Sequence, residues 1–305
     1  MVTYTEEDIV RALRSVGIGS GDTVFFTARM LAVGQLEGVV SNAQFCQAYL
    51  DAIFEVIGDA GTLVVPTYTQ QVGRFGVPYF HESTLTLSGV FNEYVRCSQG
   101  AVRSFHPVFS LTALGARAEA ICGRVDSSSF GAHSAYGNLF RNGGISLSLG
   151  FDRDSGHIVT GAHYLETTYG VPYYYNKVLD SDVYRNGQKT DQVFILNVAY
   201  REFQVEADYT PYVRMLDQKG CLHESVLGAS KLYACDLSSQ LSVGYELLAD
   251  DVYAFLKHPP RFVKGEIPWD GREEKIDVSA EIQKDWSKMG LGERWVDARQ
   301  QLQPA

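Results

Sequence analysis

The start of the chain alternates between two patterns of apolar residues. Helical spacing runs through Ile9–Val16, behind a capping-box sequence at Thr5–Asp8, and again through Phe45–Ile57. Thr23–Phe26 and Thr62–Val65 are short runs preceded by glycine, which are typical of buried strands. Helix and strand therefore alternate, and the first half of the chain is predicted to form an α/β sheet with helices packed against it.

Strand and turn patterns dominate the middle of the chain. An irregular strand is predicted through Phe105–Leu114, and a regular one where apolar and polar residues alternate in Ile145–Leu149. The Asn-Gly pair at 186–187 is typical of a type I′ hairpin turn, here between Asp182–Arg185 and Gln192–Tyr200. This part of the chain is therefore predicted to be rich in short β-strands.

These patterns predict one large domain with an appendage. Residues 1–260 form the domain, with a small β-hairpin subdomain at about 180–210, and residues 225–256 have helical spacing. The charged segment 261–305 is predicted to be an arm that packs on the body or on a partner subunit of a homodimer, because aromatic anchors favour such contacts. Three tryptophans supply these anchors: Trp269, Trp286 and Trp295.

Composition narrows the class of protein. The chain of 305 residues is 45% hydrophobic and 20% charged, which is typical of a globular protein. Its formal net charge of −10 disfavours binding to nucleic acid and to anionic membranes. Five scattered cysteines without a CxxC pair, and no signal or membrane-spanning segment, predict a cytoplasmic protein with reduced thiols.

The segment Thr160–Glu166 carries the strongest chemical signal. His163 and Glu166 are three residues apart, shortly after the strand that ends at Gly150. In a helix both side chains lie on one face, within reach of each other. The carboxylate would favour the imidazolium and fix the tautomer of the ring, as a general base requires. The alternative is a buried hydrogen bond that only stabilises the helix.

Other motifs are weaker. His157, His163 and Glu166 contain the ligand types of a zinc or iron hydrolase, but the six-residue gap between the histidines includes Gly161 and does not fit a helical HxxxH site. Gly17–Gly21 has the glycine spacing of a dinucleotide loop in the wrong context, since it follows a helix and precedes a strand. The sequence contains neither a P-loop nor a GxSxG elbow.

Several segments, considered together and in this order, resemble the aminoglycoside 3-N-acetyltransferase family. They extend over about residues 5–258, and their joint order is more specific than any one of them. The segments are Gly21–Phe26, Gly61–Thr67, Val102–Pro107, Phe130–Leu139, Leu149–Gly150, Thr160–Glu166, Val171–Tyr173, Asp208–Tyr209 and Val226–Ala229.

The resemblance implies a three-layer α/β/α sandwich on a mixed central sheet, with a small β-rich subdomain on the substrate side. It also implies that residues 1–260 form an acyl-CoA-dependent acetyltransferase domain that transfers the acyl group directly, without an acyl-enzyme. His163 would take the proton from the attacking amine, and Glu166 would orient His163 and stabilise its charged form. Acetyl-CoA or another acyl-CoA is the implied co-substrate, and no metal is expected.

The resemblance also suggests which residues line the cleft. A basic group is needed for the phosphates of coenzyme A, and Arg103 is the candidate for it. The predicted cofactor-binding residues are Thr27, Ala28, Arg29, Arg103, Ser104, His106, Ser134 and Tyr136. The predicted substrate-binding residues are Thr160, Tyr173 and Asp208, of which Asp208 has the alternative role of capping the helix that follows it.

This chain departs from the family pattern around the expected cleft. Thr27-Ala28-Arg29 replaces a common His-Ser-Ser run, and Phe109 replaces the second histidine of a His-Pro-x-His-Ser motif. The His163 and Glu166 pair is kept. Acyl-CoA transfer is therefore better supported than an aminoglycoside as the acceptor, and a biosynthetic amino sugar, with or without a nucleotide, is an alternative.

The sequence favours an N-acetyltransferase that acts on a primary amine of an aminoglycoside or another amino-sugar-like small molecule. Two alternatives remain open: a metal-dependent hydrolase that uses His157, His163 and Glu166, and a catalytically inactive relative that binds coenzyme A. Bound metal would distinguish the first alternative, and thiol release from acetyl-CoA would distinguish the second.

Overall fold

The computed structural model describes residues 2–153, 156–200, 203 and 205–262. The arm predicted at 261–305 lies outside the described residues except for its first two positions, and so do its three tryptophans. Within the described residues the α-helices are α1 Glu6–Ser15, α2 Asn42–Ile57, α3 Gln70–Phe75, α4 Val90–Arg96, α5 Ala135–Asn142, α6 Ala162–Tyr169, α7 Thr210–Gln218 and α8 Leu237–Asp250.

The strands are spread over one large sheet and three small ones. In chain order they are β1 Thr3–Tyr4, β2 Thr23–Ala28, β3 Gln35–Leu36, β4 Thr62–Pro66, β5 Tyr79–Phe80, β6 Val102–Arg103, β7 Leu111–Gly115, β8 Ile145–Leu149, β9 Tyr174–Val178, β10 Val183–Arg185, β11 Gln188–Lys189, β12 Ile195–Ala199, β13 His223–Leu227 and β14 Ser230–Asp236. Short 3₁₀ turns lie at Met30–Ala32 and Gly156–Val159, and a π-helical turn lies at Glu119–Gly123.

The helix starts follow from side-chain chemistry, as the sequence predicts. Thr5 accepts a hydrogen bond from the Asp8 N–H while the Asp8 carboxylate accepts one from the Thr5 N–H, so the predicted capping box is confirmed. Ser41 caps α2 through the N–H of Gln44. These bonds satisfy N–H groups that lack a partner within the helix.

The large sheet is mixed. Its seven strands lie in the order β13-β14-β8-β2-β4-β7-β6. The central strand β2 is parallel to both β8 and β4, and the other pairs are antiparallel. The antiparallel pairs on both sides therefore flank a parallel centre of three strands.

Side chains that alternate along the strands produce helical layers on both faces of the sheet. Val24 and Phe26 pack in the core formed with α1, α2 and α4, whereas Phe25 faces a second core that contains α5. In β4, Leu63 and Val64 divide between the same two cores. The period of two in a strand requires this division, and the predicted α/β/α layering is confirmed.

The small β-elements form separate pairs, and one predicted pairing is wrong. Asn186 and Gly187 have φ of 52° and 72°, which fits the predicted type I′ turn. The strand that follows the turn is Gln188–Lys189, however, and not Gln192–Tyr200. Residues 195–199 pair with β9 instead. A two-residue turn requires the partner strand to begin immediately after it, so the turn itself excludes the later segment.

The helical prediction for residues 225–256 is wrong over its first part. Residues 223–236 form an antiparallel pair, β13 and β14, and only Leu237–Asp250 is helical. In β14 four successive residues are buried, because this strand lies inside the sheet between β8 and β13. A continuous apolar run of this kind fits a buried strand as well as a helix segment.

The strand predicted through Phe105–Leu114 begins only at Leu111, because residues 104–110 form a buried loop. Ser104 accepts a hydrogen bond from the Leu111 N–H at 2.9 Å. The His106 Nδ1 accepts hydrogen bonds from the N–H groups of Val108 and Phe109 at 3.2 and 3.0 Å. These side-chain acceptors replace the ladder bonds that a strand would have made.

No described helix is long and apolar enough to cross a membrane. All five cysteines are free thiols, and Cys46, Cys122 and Cys235 are buried. Burial raises the pKa of the Cys46 and Cys235 thiols to about 12, so both stay protonated at neutral pH.

The junction between β8 and β2 depends on Gly150, and its replacement by alanine is expected to destabilise the fold. Gly150 has φ of 81°, and an added Cβ would lie 2.5 Å from the Arg29 carbonyl oxygen. The backbone would have to move, so we expect Gly150→Ala to lower the free energy of unfolding by about 3 kcal/mol, measured in urea.

Gly170 provides the matched control, because its φ is 82° but no atom lies within 4 Å of an added Cβ. Gly170→Ala should cost only about 1 kcal/mol, the penalty for the left-handed backbone alone. Equal losses in the two variants would contradict the collision argument.

Two histidines, His106 in the buried loop and His81 after β5, predict a dependence of stability on pH. Burial lowers the pKa of His106 to about 4, and burial together with Arg103 lowers that of His81 to about 3. The unfolded chain protonates these rings near pH 6.5 and the folded chain does not, so stability is lost as pH falls through that value. We expect each ring to cost about 2 kcal/mol between pH 7 and pH 5 in urea unfolding.

His106→Gln should remove about half of that pH-dependent loss. His223→Gln, a change at an exposed histidine of β13, should leave the loss as it is in the unaltered protein. A pH dependence that is the same in all three proteins would show that His106 titrates normally in the fold.

Candidate active site

A cavity of about 700 Å³ opens at the carboxyl ends of the three parallel strands. β2 lies between β4 and β8 in the sheet. The chain passes from β2 to β4 on one side and reaches β8, on the other side, later in the sequence. This arrangement is a topological switch point, where loops diverge and leave a crevice for ligands. Residues that line the cavity include Thr27, Ala28, Arg29, Tyr68, Leu87, Ser88, Asn92, Phe151, His157, Thr160, His163 and Tyr209.

The two residues of the sequence motif meet on α6, as the helical spacing predicts. The His163 Nδ1 lies 3.0 Å from the Glu166 Oε2. The histidine side chain is 47% exposed and lines the cavity, whereas the glutamate side chain is 1% exposed. Glu166 therefore lies behind His163 as seen from the cavity.

Tyrosine side chains surround the buried carboxylate. Tyr173 donates a hydrogen bond to the Glu166 Oε1 at 3.0 Å, and Tyr209 donates one to the Oε2 at 3.3 Å. The Tyr174 hydroxyl lies 3.1 Å from the His163 Nδ1. Burial, and then the negative charge of Glu166, raise the pKa of all three phenols above its ordinary value, so the phenols stay protonated.

This geometry assigns the tautomer of His163. A carboxylate accepts hydrogen bonds, so Nδ1 carries the proton that it donates to Glu166. The lone pair of the neutral ring is then on Nε2, the nitrogen that is free to meet a ligand in the cavity. Such a pair can accept a proton at Nε2 while the carboxylate stabilises the resulting imidazolium.

The end of β2 forms the opposite part of the cavity. The Thr27 Oγ1 lies 3.0 Å from the Ser148 Oγ, which in turn donates a hydrogen bond to the His157 carbonyl at 3.0 Å. Thr27, Ala28 and Arg29 all line the cavity. Three of the predicted cofactor-binding residues are thus together in one wall of the cavity that contains His163.

His157 also lines the cavity. Its ring stacks on Phe151 with centroids 4.6 Å apart. Burial, and then the charge of Arg29, lower the pKa of His157. Among the described residues no group of three His, Cys, Asp or Glu side chains is arranged to hold a metal ion. Glu166, moreover, already receives hydrogen bonds from His163 and Tyr209.

Arg103 lies outside the cavity lining and is bonded within the protein. Its guanidinium donates to the Ser110 Oγ and to the carbonyl groups of His81, Thr84 and Thr67, at 2.7–3.2 Å. All of these are internal acceptors. The predicted contact of Arg103 with the phosphates of coenzyme A is therefore not supported by its position.

Four other predicted cofactor residues are also buried away from the cavity lining. Ser104 and His106 belong to the loop that precedes β7. Ser134 caps α5 through the Gly137 N–H, and Tyr136 is fully buried in the core. The polar groups of these side chains bond within the protein or are covered by it. The side chains therefore contribute to the packing around the site.

The predicted substrate residues divide in the same way. Thr160 lines the cavity next to His163. Tyr173 is fully buried behind Glu166. Asp208 accepts a hydrogen bond from the Thr210 N–H at the start of α7, and the bonds from Thr210 lower the pKa of its carboxyl group. The alternative capping role of Asp208 is the one that its contacts support.

Sequence reasoning did not identify several residues of the site. Tyr68 and Phe151 follow the carboxyl ends of β4 and β8, which is a signal that the strand assignments could have supplied. Tyr174 and Tyr209 contact the His163 and Glu166 pair from distant parts of the chain. Asn92 comes from α4. No local pattern marks Tyr174 or Asn92, and Tyr209 is marked only by the segment Asp208–Tyr209 that resembles the family.

Comparisons with known proteins identify the family of the chain. The family model described as aminoglycoside 3-N-acetyltransferase matches residues 25–249. The aminoglycoside N(3)-acetyltransferase VII of Streptomyces paromomycinus is 34% identical over 135 residues, which cover 38% of this chain and 45% of that protein. The match thus spans less than half the length of this relative.

Solved structures show the same fold. The crystal structure of aminoglycoside acetyltransferase AAC(3)-Xa is similar with a TM-score of 0.69 and 24% identity, over 81% of this chain and 93% of that one. The binary complex of AAC-IIIb with CoASH gives a TM-score of 0.68 and 21% identity, over 85% of this chain and all of that one. Because the family model covers well over half of the sequence, this chain belongs to the aminoglycoside 3-N-acetyltransferase family.

Proposed function

We propose that this protein transfers an acetyl group from acetyl-CoA to a primary amine of an aminoglycoside or a related amino sugar. The observation that carries the proposal is the hydrogen-bonded pair of His163 and Glu166 at the mouth of a cavity. Membership of the family supports the acetyl-transfer chemistry, and the similar proteins, which include an aminoglycoside N(3)-acetyltransferase and a complex with CoASH, support coenzyme A and an aminoglycoside.

The chemistry requires a proton acceptor. A protonated amine has no lone pair and cannot attack a thioester, so a base must remove a proton before or during attack. In this mechanism the amine nitrogen forms a bond to the thioester carbonyl carbon, and the His163 Nε2 accepts the amine proton. Collapse of the tetrahedral intermediate breaks the carbon–sulfur bond, and the thiolate of coenzyme A leaves and takes a proton.

Glu166 makes His163 an effective base in two ways. The imidazolium that forms on His163 is 3.0 Å from a carboxylate that is excluded from water, so their attraction is stronger than it would be at the surface. The carboxylate also keeps the proton on Nδ1, which leaves Nε2 as the acceptor in each turnover. Transfer is direct in this proposal, with both substrates bound at once.

The cavity lining offers polar groups for the substrates. Thr27 and Arg29 at the end of β2, with Ser88 and Asn92 across the cavity, offer a cation and several hydrogen-bonding groups. Arg29 is the cationic residue of this lining and is therefore the candidate contact for an anionic group of coenzyme A. The acceptor amine has to reach Nε2 of His163 from the same opening.

Thiol release from acetyl-CoA in the presence of an amine tests the proposal. The acceptors are an aminoglycoside, a simple amino sugar and a nucleotide-linked amino sugar, each assayed with the unaltered protein and with His163→Gln. We expect the unaltered protein to release thiol with at least one amine. His163→Gln should lower kcat by about a hundred-fold or more, because a general base is lost.

His223→Gln is the matched control, since this histidine is exposed on β13 and is not part of the cavity lining. It should retain the turnover of the unaltered protein. Full turnover in His163→Gln would remove the proposed base. Coenzyme A binding without thiol release for any amine would favour an inactive relative, and loss of activity on chelation would favour a metal-dependent hydrolase.

A further inference from the structure

The pair of His163 and Glu166 is in contact with side chains from other parts of the fold. Three tyrosines reach it: Tyr173 and Tyr174, which follow α6, and Tyr209, just before α7. Two of them donate to different oxygens of the carboxylate, at 3.0 Å to Oε1 and 3.3 Å to Oε2. We call these three residues the tyrosine clamp.

Burial of the Glu166 carboxylate has an energetic cost, which the tyrosine clamp can offset. The Glu166 side chain is 1% exposed, and removal from water favours the neutral carboxylic acid over the anion. Hydrogen bonds donated to the carboxylate favour the anion instead. With Nδ1 of His163 included, Glu166 has three donors for its two oxygens, and they replace the water that the fold has excluded.

The phenols are suited to this task because they stay protonated. Burial raises the pKa of Tyr174 and Tyr209 well above the ordinary value, and the charge of Glu166 raises it further. A phenol that ionised would turn from a donor into a second anion beside the carboxylate. Tyr173 and Tyr209 therefore remain neutral donors to Glu166 across the range in which an enzyme works, and Tyr174 remains neutral beside Nδ1 of His163.

Tyr209 is held in place independently of α6. The ring packs on Phe255, which is fully buried, with centroids 5.5 Å apart. Gly156 also lies against the ring, since a Cβ at that position would be 2.4 Å from Cδ2 of Tyr209. The neighbouring Asp208 N–H donates to the Phe255 carbonyl at 2.8 Å. The phenol thus reaches the carboxylate from a fixed support.

We propose that Tyr173 and Tyr209 are positioning residues for the base: their hydroxyl groups keep Glu166 an anion, so that His163 accepts the substrate proton at Nε2. Tyr174 lies on the Nδ1 side of the ring and limits its rotation. This inference rests on the proposed function, because it concerns how His163 is prepared for proton transfer.

Loss of either hydroxyl has a defined effect on the pH–rate profile. With fewer donors the anion is less stable, so the pair of Glu166 and His163 holds a proton more tightly and becomes an active base only at higher pH. Among the described residues, the other titratable or charged groups that face the pair or its tyrosines include Tyr174 on β9, Asp251 after α8, and Arg29 and His157 in the cavity lining.

The test compares Tyr173→Phe and Tyr209→Phe with the unaltered protein in kcat/KM for thiol release, from pH 5.5 to pH 9.5. We expect the acid limb of each variant to move to higher pH by about one unit, the equivalent of one hydrogen bond to a charged group. Rates at the alkaline end should approach those of the unaltered protein. A general loss of structure would instead lower the rate at every pH.

Tyr212→Phe is the matched control. Tyr212 is fully buried, stacks on Phe255 and donates to the Gln240 carbonyl, but makes no hydrogen bond to the pair. It should lose stability without a shift of the acid limb. The proposal is overturned if Tyr173→Phe and Tyr209→Phe both keep the acid limb of the unaltered protein while His163→Gln is inactive. If His163→Gln is active, the proposed base itself fails.

Discussion

The structure of the site depends on one buried carboxylate. Glu166 is excluded from water, and an isolated charge in that position would be strongly unfavourable. The fold compensates with donors that come from the same helix, from the residues just after it and from the segment before α7. Donors to this carboxylate therefore come from parts of the chain that are more than 40 residues apart. The hydrogen bond to Glu166 orients the His163 ring.

Sheet topology brings the remaining components to the same place. Because β2 is parallel to both of its neighbours, the residues that follow β2, β4 and β8 all emerge at one edge of the sheet. The chain from β8 to α6 crosses this edge through His157 and Thr160 and delivers His163 beside Arg29 and Tyr68. The cavity is thus a consequence of strand order, and α6 contributes His163 to its lining.

Sequence reasoning succeeds where the physics is local. A capping box, the two-residue turn at 186–187 and the proximity of His163 and Glu166 each involve side chains within a few residues. It fails where the outcome depends on tertiary contacts. Arg103 has the charge of a phosphate ligand but is surrounded by backbone carbonyls, and Tyr209 has no local pattern that places it beside Glu166. Residues 223–236 are a strand pair for the same reason, since the neighbouring strand β8 decides their conformation.

Two departures from the family pattern lie at different distances from the cavity. Thr27, Ala28 and Arg29 line the cavity, so their side chains can contact a substrate directly and add a positive charge. Phe109 instead packs against Phe130, with centroids 4.9 Å apart, and Phe130 lies 5.7 Å from the His163 ring. The first departure can therefore change which molecules bind, whereas the second acts through the packing around the His163 ring. Any difference in acceptor between this protein and its relatives is for that reason expected to originate at the end of β2.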